Sequence, residues 1–449
     1  MLGLSNRCTE PQHSLAERKN NAPGRNIAPR FDVIYNASNM KKEKKSLPRV
    51  LYAAAVYGKE EVKAVMDVLA NPMRIGAGEK VKKFEKAVSK ILGKSHGTMV
   101  NSGSSANLLA IELLDLPKGS EVITPVLTFS TTLTPLLQKG LKPVFVDVVP
   151  GTYLIDADKV EKVITRKTRA LMIPSLLGNI PDLQKLRKIA KKHKLFLIED
   201  SCDTLGATFA GKPTGFYTDI TTTSFYASHI ITAAGSGGMI SVHDPKLARK
   251  ALVKSSWGRD STLFGVHEKS EDIRKRFSGQ IGKDPYDAKF IFSEVGYNFQ
   301  SGELNAAFGL EQLKRLKTFS ARRRNNFKRL FTFFKRYEHL FILPVQDARV
   351  VTNWLAFPLT VRPNAPFSRM QITRYLEEHN IQTRPIFTGN VLRQPAFNLL
   401  AAFIKPDHFK HADEVMKNGF LIGCHHGLTS TELKHLESTI SDFLRPHAS

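Results

Sequence analysis

Apolar runs of strand length alternate with amphipathic helical segments from about residue 51 to about residue 316. Four short runs show the pattern most clearly: residues 122–123, 143–147, 170–174 and 195–198. Runs that are apolar throughout are typical of strands buried on both faces, and alternation with helices favours parallel pairing of such strands. The pattern therefore predicts an α/β fold with a mostly parallel sheet.

Composition and periodicity divide the chain into three segments. Residues 1–46 are basic and lack apolar periodicity, which predicts a disordered extension, and Met40 before a Lys-rich stretch resembles a natural bacterial start. Residues 47–316 carry the alternation and predict a large domain. Residues 317–449 predict a smaller α+β domain, and a long helix over residues 312–339 is expected to link the two domains.

Polar groups follow several predicted strands, where open α/β sheets bind ligands. Residues 195–200 form an apolar run that ends in two carboxylates, so Asp200 is expected to point into a site. Gly103, Ser104 and Ser105 begin a predicted helix, and the free N–H groups of a helix start bind phosphate. Phe129 follows another predicted strand, in a position from which its ring can stack on a ligand.

Residues 224–238, with the sequence SFYASHIITAAGSGG, are the most informative stretch of the chain. An apolar, β-branched run contains His229 and leads through a Gly-rich turn into a second strand-like run at residues 238–242. An imidazole, whose ordinary pKa is about 6.5, is suited to moving protons. A lone histidine after a strand is more often a structural residue, so the role of His229 depends on its neighbours.

Three further segments have a recognisable pattern: SWGRD at residues 256–260, VGYN at 295–298 and GNVLRQPAF at 389–397. Together with the segments above, and in this order, they resemble the DegT/DnrJ/EryC1/StrS family of nucleotide-sugar aminotransferases and dehydratases. The resemblance runs from about residue 51 to the C-terminus. It implies the type I fold of pyridoxal-phosphate enzymes, with a large domain and a small C-terminal α+β domain.

Most members of that family have a lysine at the position of His229, where it forms a Schiff base with the aldehyde cofactor. A histidine keeps a base at this position and removes the covalent anchor. This exchange resembles the 3-dehydratase branch, which makes 3-deoxy sugars from 4-keto-6-deoxy nucleotide sugars. The resemblance implies pyridoxal 5′-phosphate or pyridoxamine 5′-phosphate held without a covalent bond, and His229 as the catalytic residue.

The resemblance also implies roles for other residues. Asp200 would pair with the pyridinium nitrogen of the cofactor. Asn298 would reach the cofactor phosphate of the neighbouring subunit, which implies a homodimer with shared active sites. The remaining expected cofactor contacts are Gly103, Ser104, Ser105, Phe129, Asp203 and Ser224, and the expected substrate contacts are Arg384 and Arg393. The need for a partner reductase is left open.

The cysteines separate this chain from the CDP-sugar members of the branch, which carry an iron–sulfur cluster on four cysteines. Cys202 matches the first of those ligands, but residues 260–267 contain no cysteine. The other two cysteines, Cys8 and Cys424, lie far away in sequence. Since cluster ligation needs thiolates, no iron–sulfur cluster is expected, as in the dehydratases that act on GDP sugars. Cys202 is expected to be a small buried residue near the site.

A net charge of +25 raises nucleic-acid binding as a rival interpretation. Basic residues gather at 322–329 and 335–336, with phenylalanines between them, which predicts an amphipathic helix with a solvated basic face. No zinc ligand set, helix-turn-helix signature or RNA-binding aromatic motif accompanies the charge. A charged protein surface, with some attraction for an anionic nucleotide sugar, is the favoured explanation, and no nucleic-acid partner is expected.

Three cysteines in 449 residues argue against a disulfide framework and favour a reducing compartment. No apolar run reaches the roughly 18 residues of a membrane span, and the first residues lack the apolar stretch of a signal peptide. The expectation is a cytoplasmic enzyme with no membrane partner. His425 and His426 are adjacent in a predicted turn, which disfavours a shared metal and favours a substrate-side or structural role.

Two alternatives remain open. A nucleotide-sugar aminotransferase is favoured by the family motifs and opposed by His229, since such enzymes need the lysine. A non-catalytic or nucleic-acid-binding descendant is opposed by the presence of Asp200, Phe129 and Asn298 together.

Overall fold

The structure is a computed structural model that describes residues 49–266, 269 and 271–447. The predicted extension at residues 1–46, including Met40, lies outside the described residues. Within the described ranges, none of the helices combines the length and the apolar character that crossing a membrane requires.

The described residues form the following elements in chain order. The helices are α1 (Lys59–Leu69), α2 (Glu79–Leu92), α3 (Gly103–Glu112), α4 (Ser130–Gln138), α5 (Ala157–Val160), α6 (Leu183–Lys192), α7 (Pro245–Ser255), α8 (Ile273–Arg276), α9 (Glu303–Lys335), α10 (Arg369–Glu378), α11 (Asn398–Ala401), α12 (Lys410–Asn418) and α13 (Ser430–Leu444). The strands are β1 (His96–Val100), β2 (Glu121–Pro125), β3 (Lys142–Val146), β4 (Val148–Val149), β5 (Leu154–Ile155), β6 (Thr168–Pro174), β7 (Phe196–Asp200), β8 (Thr208–Phe209), β9 (Lys212–Pro213), β10 (Ile220–Ser224), β11 (Gly238–Val242), β12 (Gly279–Ile281), β13 (Asp284–Tyr286), β14 (Phe341–Ile342), β15 (Val350–Val351), β16 (Phe357–Val361), β17 (Arg384–Pro385) and β18 (Gly419–Ile422).

A seven-stranded sheet in the order β1-β11-β10-β7-β6-β2-β3 forms the centre of the large domain. The pairs from β10 to β3 are parallel, whereas β11 runs antiparallel to both of its neighbours. The four apolar runs identified in the sequence lie in β2, β3, β6 and β7. The predicted α/β class with a mostly parallel sheet is confirmed. Because β6, β7 and β10 are parallel neighbours, their carboxyl ends meet at one edge of the sheet.

The C-terminal part of the chain adds a four-stranded antiparallel sheet in the order β14-β16-β18-β17. The long helix predicted over residues 312–339 is α9, but it begins nine residues earlier, at Glu303, and ends at Lys335. The carboxylate of Glu303 accepts hydrogen bonds from the backbone N–H groups of Lys80 (3.0 Å) and Val81 (2.8 Å), at the start of α2. This long-range contact fixes the helix start, and the local sequence pattern does not contain it.

Packing between α2 and α9 supports the segment that contains His229. The fully buried ring of Phe84 lies edge-on to the ring of Phe225, with 4.8 Å between the ring centroids. The same ring occupies the space beside Gly309, where an added Cβ would lie 2.6 Å from its Cε2 atom. Phe225 directly follows β10, so the close approach of the two helices holds the base of the loop that contains His229.

Gly309→Ala is expected to lower the free energy of unfolding. Alanine is the better helix former by about 1 kcal/mol, but overpacking against Phe84 costs about 1–3 kcal/mol, so destabilisation should prevail. Midpoints of urea denaturation would measure the change. A control uses the Phe84→Leu background, in which the shorter side chain leaves room and Gly309→Ala should be neutral or stabilising. Destabilisation of equal size in both backgrounds would contradict the packing explanation.

Candidate active site

A cavity of ≈ 340 Å³ opens at the carboxyl ends of β6, β7 and β10. Pro174, Asp200 and Ser224, the final residues of these three strands, all line it. This is the position in which open α/β sheets bind ligands. The structure brings seven of the expected site residues to the cavity wall: Gly103, Ser104, Phe129, Asp200, Asp203, Ser224 and His229.

Asp200 is a buried carboxylate that three donors hold in one orientation. Its Oδ2 atom accepts from Asn107 Nδ2 and from Thr132 Oγ1, both at 2.8 Å, and its Oδ1 atom accepts from the backbone N–H of Cys202 at 3.2 Å. Asn107 and Thr132 are themselves 1 % exposed. All three donors are neutral, so the negative charge is oriented but is free to pair with a cationic ligand group.

His229 is held by the loop that follows Asp200. Its Nδ1 atom lies 2.8 Å from the carbonyl oxygen of Cys202. A carbonyl only accepts, so Nδ1 carries the proton and Nε2 carries the lone pair of the neutral ring. Burial lowers the pKa of His229 from its ordinary value of 6.5 to about 4, against the opposing effects of the Cys202 carbonyl and Asp200. The imidazole is therefore a neutral proton acceptor throughout the neutral pH range.

The N-terminus of α3 provides a small-residue cradle at the cavity wall. The Ser102 hydroxyl caps the helix by accepting the Ser105 N–H at 3.1 Å, so Ser105 stabilises the helix start rather than lining the cavity. A Cβ atom on Gly103 would lie 2.7 Å from Ser224 Cβ and 2.8 Å from Cys202 Sγ. Only glycine allows this helix start to approach the strand ends so closely. Exposed N–H groups at such a position fit a phosphate group.

Aromatic rings border the cavity on the side of the C-terminal part of the chain. Phe129 is half-exposed and meets Phe387 edge-on, with 5.8 Å between the ring centroids. Both rings line the cavity, as does Tyr52. The exposed face of Phe129 fits the expected stacking role, which stays a prediction.

Asp203 lies beside Asp200 in a more strongly perturbed environment. One carboxylate oxygen accepts from the backbone N–H of Leu177 at 2.9 Å. Burial, together with repulsion from Asp200, raises the pKa of Asp203 to about 7, although Leu177 and Arg323 act in the opposite direction. Asp203 therefore exchanges a proton near neutral pH, and it can donate or accept a hydrogen bond there.

Besides Ser105, three expected site residues do not line the cavity. Asn298 pairs with Ser256 through an isolated antiparallel bridge, which is compatible with its expected role in a neighbouring subunit. The guanidinium of Arg384 lies over the Tyr52 ring, 5.1 Å from its centroid, at the edge of the cavity. Arg393 is engaged elsewhere, because Asp413 and Asp407 each accept from it at 2.6 Å.

The sequence interpretation missed Arg323. It assigned residues 322–329 to a solvated basic face, and this is wrong for Arg323, whose side chain is completely buried. The spacing contained the signal: Arg323 lies four residues after Phe319 and seven before Leu330, on the buried stripe of α9. Asn107 and Thr132, the donors to Asp200, were also assigned no role. Their contacts join distant segments.

Comparison with known proteins agrees with this geometry. The model of the DegT/DnrJ/EryC1/StrS aminotransferase family matches residues 56–441. The chain belongs to this family. It is 38% identical over 403 residues, 87% of the chain and 86% of the relative, to a protein of Saccharopolyspora spinosa named dTDP-4-dehydro-2,6-dideoxy-D-glucose 3-dehydratase.

Two other relatives have related names. A Yersinia pseudotuberculosis protein named GDP-4-keto-6-deoxy-D-mannose 3-dehydratase is 33% identical, over 86% of this chain and 96% of its own. A solved structure of the E. coli GDP-4-keto-6-deoxy-D-mannose-3-dehydratase with bound hydrated PLP is 30% identical and superposes with a TM-score of 0.76, covering 88% of this chain and 99% of the other. The predicted family and type I fold are confirmed.

Gly103→Ala is expected to weaken the binding of pyridoxal phosphate by about tenfold or more, because an overpacked helix start costs about 1–3 kcal/mol. Equilibrium dialysis with absorbance detection would measure the dissociation constant. Gly76→Ala is the matched control, since a Cβ at Gly76 would meet no atom within 4 Å. Equal affinities for the two variants would show that Gly103 does not shape the site.

Proposed function

We propose that this chain is a nucleotide-sugar 3-dehydratase that uses pyridoxamine phosphate. It removes the C3 hydroxyl of an NDP-4-keto-6-deoxy-hexose, in deoxysugar biosynthesis of the lipopolysaccharide O-antigen type. The observation that carries the proposal is the pair of Asp200 and a neutral His229 on one cavity wall, with Nδ1 of the histidine bound by Cys202. The names of the Saccharopolyspora and Yersinia relatives support the reaction type.

The cavity residues fit this cofactor. The α3 start suits its phosphate, the oriented carboxylate of Asp200 suits a protonated ring nitrogen, and the exposed ring of Phe129 suits stacking. When bound, pyridoxamine phosphate supplies an amine that condenses with the C4 ketone and a ring that takes up electrons. No lysine is found among the described residues that line the cavity, so no side chain competes as a covalent anchor.

The side chains have separate tasks. Asp200 would hold the pyridinium nitrogen of the cofactor in its protonated form, because three hydrogen bonds keep its carboxylate in place as an acceptor. His229 takes a proton at Nε2, the ring nitrogen with the lone pair. Burial disfavours the resulting cation, so His229 readily returns this proton to the departing C3 hydroxyl, which leaves as water. One histidine thus acts first as base and then as acid.

The nucleotide that the substrate carries is to be determined by assay. The names of relatives include both dTDP and GDP sugars. The net charge of +25 favours capture of a dianionic diphosphate, and Arg384 above Tyr52 is the basic group at the cavity edge. Loss of the C3 hydroxyl should be assayed with CDP-, GDP- and dTDP-4-keto-6-deoxy sugars, and inactivity on every sugar would refute the proposal.

A nucleotide-sugar aminotransferase is the second candidate. The family name and a 29% identical relative from Caulobacter vibrioides, named GDP-perosamine synthase, favour it. His229 opposes it, because transaminases of this type release their product through a cofactor-bound lysine. Formation of an amino sugar from the 4-keto sugar and glutamate would show that the chain is an aminotransferase.

His229→Asn is expected to leave cofactor affinity unchanged and to lower kcat by about 10²–10⁴-fold, the usual contribution of general base catalysis. The native enzyme must keep His229 neutral, so its activity should persist below the ordinary pKa of 6.5 and fall as the pH approaches about 4. Folding stability should depend on pH in the same direction. With the lowered pKa of His229, the folded state is most stable above pH 6.5 and loses stability as the pH falls from 6.5 through about 4, because the unfolded chain binds the proton first. Unchanged turnover in the Asn variant would show that His229 is structural.

His229→Lys is expected to restore the covalent anchor and to abolish dehydration. Borohydride reduction followed by peptide mapping should attach pyridoxal phosphate to the peptide of residues 224–238 in this variant only. A labelled peptide from the unmodified protein would contradict the proposed mode of cofactor binding.

A homodimer with shared sites is the proposed assembly, and Asn298 is the residue expected to act across it. Exposed apolar side chains near Asn298 support an interface, among them Val295 (88 % exposed) and Phe292 (59 % exposed). Asn298→Ala should weaken cofactor binding while the dimer and the fold persist, as measured by light scattering and dialysis.

Mixing the Asn298→Ala and His229→Asn variants gives a sharper test of the shared site. Each mixed dimer regains one site with both native residues, so random pairing should restore about a quarter of native turnover. No recovery on subunit exchange would place Asn298 and His229 in the same subunit's site, or show that Asn298 has no role.

A further inference from the structure

The buried guanidinium of Arg323 lies at the centre of a set of acceptors behind the active site. Its Nε atom donates to His426 Nδ1 at 3.1 Å. Nη1 donates to the carbonyl oxygens of Trp354 (3.1 Å) and Leu355 (3.0 Å). Nη2 donates to the carbonyl oxygen of His229 at 3.2 Å. One side chain on α9 therefore binds three segments that are far apart in the sequence.

These acceptors belong to the parts of the chain that shape the active site. Leu355 and His229 both line the cavity, and Arg323 binds the main chain of each. The imidazole of His229 is bound separately, by the Cys202 carbonyl. Two contacts thus determine where Nε2 of His229 lies: the guanidinium fixes the backbone, and the carbonyl fixes the ring.

Burial of the charged guanidinium of Arg323 costs desolvation free energy, and packing alone does not explain why a charged side chain lies here. In the described part of the chain, all four hydrogen bonds of Arg323 go to carbonyls or an imidazole, and none goes to a carboxylate. Burial lowers the pKa of Arg323 to about 10, so it stays charged at neutral pH. Asp203 attracts this cation without a hydrogen bond to it in the described residues. Burial of a cation under these conditions is expensive, whereas an apolar side chain of similar length could fill the same space.

His426 completes the contact set as a fixed neutral acceptor. Because it accepts from Arg323 at Nδ1, its proton lies on Nε2. Its ring stacks on Phe319 with 3.9 Å between centroids. Burial and the charge of Arg323 lower the pKa of His426 to about 2, so this histidine is a structural partner of Arg323 rather than a second proton carrier.

We propose that Arg323 is a positioning residue for His229, holding the histidine's main chain so that Nε2 meets the reacting proton. The inference rests on the proposed function, in which His229 moves that proton. Arg323 does not line the cavity, so it is not expected to contact the substrate. Its contribution should therefore appear in the chemical step and only while His229 is present.

The test compares Arg323→Lys with Arg322→Lys, a matched change at an exposed neighbour on the same helix. A lysine cannot reach His229, His426 and Leu355 together, so Arg323→Lys should lower kcat by about 10²-fold, the typical effect of misplacing a catalytic group by about 1 Å. KM should stay within about threefold, and Arg322→Lys should match the native enzyme. Unchanged kcat in Arg323→Lys would overturn the inference.

A double-mutant cycle separates positioning from general damage. In the His229→Asn background, Arg323→Lys should have no further effect on kcat, since the group that it positions is absent. Equal losses in both backgrounds would mean that Arg323 acts on the fold as a whole, and the inference would be wrong. If Arg323→Lys does not fold, two variants of His426 replace it. His426→Asn keeps an acceptor near the position of Nδ1 and should retain a higher kcat than His426→Leu. Equal kcat values would again refute the positioning role of Arg323.

A crystallographic comparison judges the inference independently of activity. In Arg323→Lys, the main chain at His229 should shift and the hydrogen bond from Nδ1 to the Cys202 carbonyl should lengthen, whereas Arg322→Lys should preserve both. If the native enzyme dehydrates none of the sugars, the proposed function fails but this comparison still applies. An unmoved His229 in the Lys variant would reject the positioning role even where the dehydratase activity is confirmed.

Discussion

The hydrogen-bonded carboxylate of Asp200 is the interaction on which the geometry of the site depends. Its donors Asn107 and Thr132 belong to α3 and α4, and Asn107 in turn accepts from Thr222 of β10 at 2.6 Å. Two strands and two helices therefore meet around one buried negative charge. Leaving a buried carboxylate short of a donor costs about 1–3 kcal/mol, more when it is charged, so these elements hold each other in register. The small-residue cradle at the start of α3 and the carboxylate of Asp200 keep a fixed separation as a result.

The sequence was sufficient for features that depend on local pattern. Strand β7 was predicted from an apolar run, and the place of Asp200 at its end followed from the rule for parallel sheets. His229 needed the family resemblance, because a single histidine after a strand has no distinctive local signal. The start of α9 was misplaced, since it depends on a contact between Glu303 and the start of α2. Arg323 was assigned to the exposed face of α9 because of its charge, although its spacing from Phe319 and Leu330 places it on the buried stripe.

In the proposed function, a histidine at the position of the family's lysine would change more than the covalent bond to the cofactor. Nδ1 of His229 donates to the Cys202 carbonyl, and the second ring nitrogen, Nε2, carries the lone pair that can accept a proton. A lysine has one terminal nitrogen, so the contact with this carbonyl and the proton transfer would have to share a single atom. The loop after β7 thus suits a histidine specifically. The contact with Cys202 thus supports the proposed role of His229 as part of a coherent site.

Burial favours the neutral forms of three titratable groups whose pKa values Arg323 also affects. Burial lowers the pKa of His229 and His425 to about 4 and raises that of Asp203 to about 7, so each group is shifted toward its neutral form. The buried guanidinium of Arg323 opposes protonation of the same histidines by direct repulsion. An imidazole cation formed at His229 is therefore unfavourable in its surroundings and has a strong tendency to pass its proton on. This suits the proposed dehydration, in which one side chain would accept a proton and then return it to a poor leaving group within one turnover.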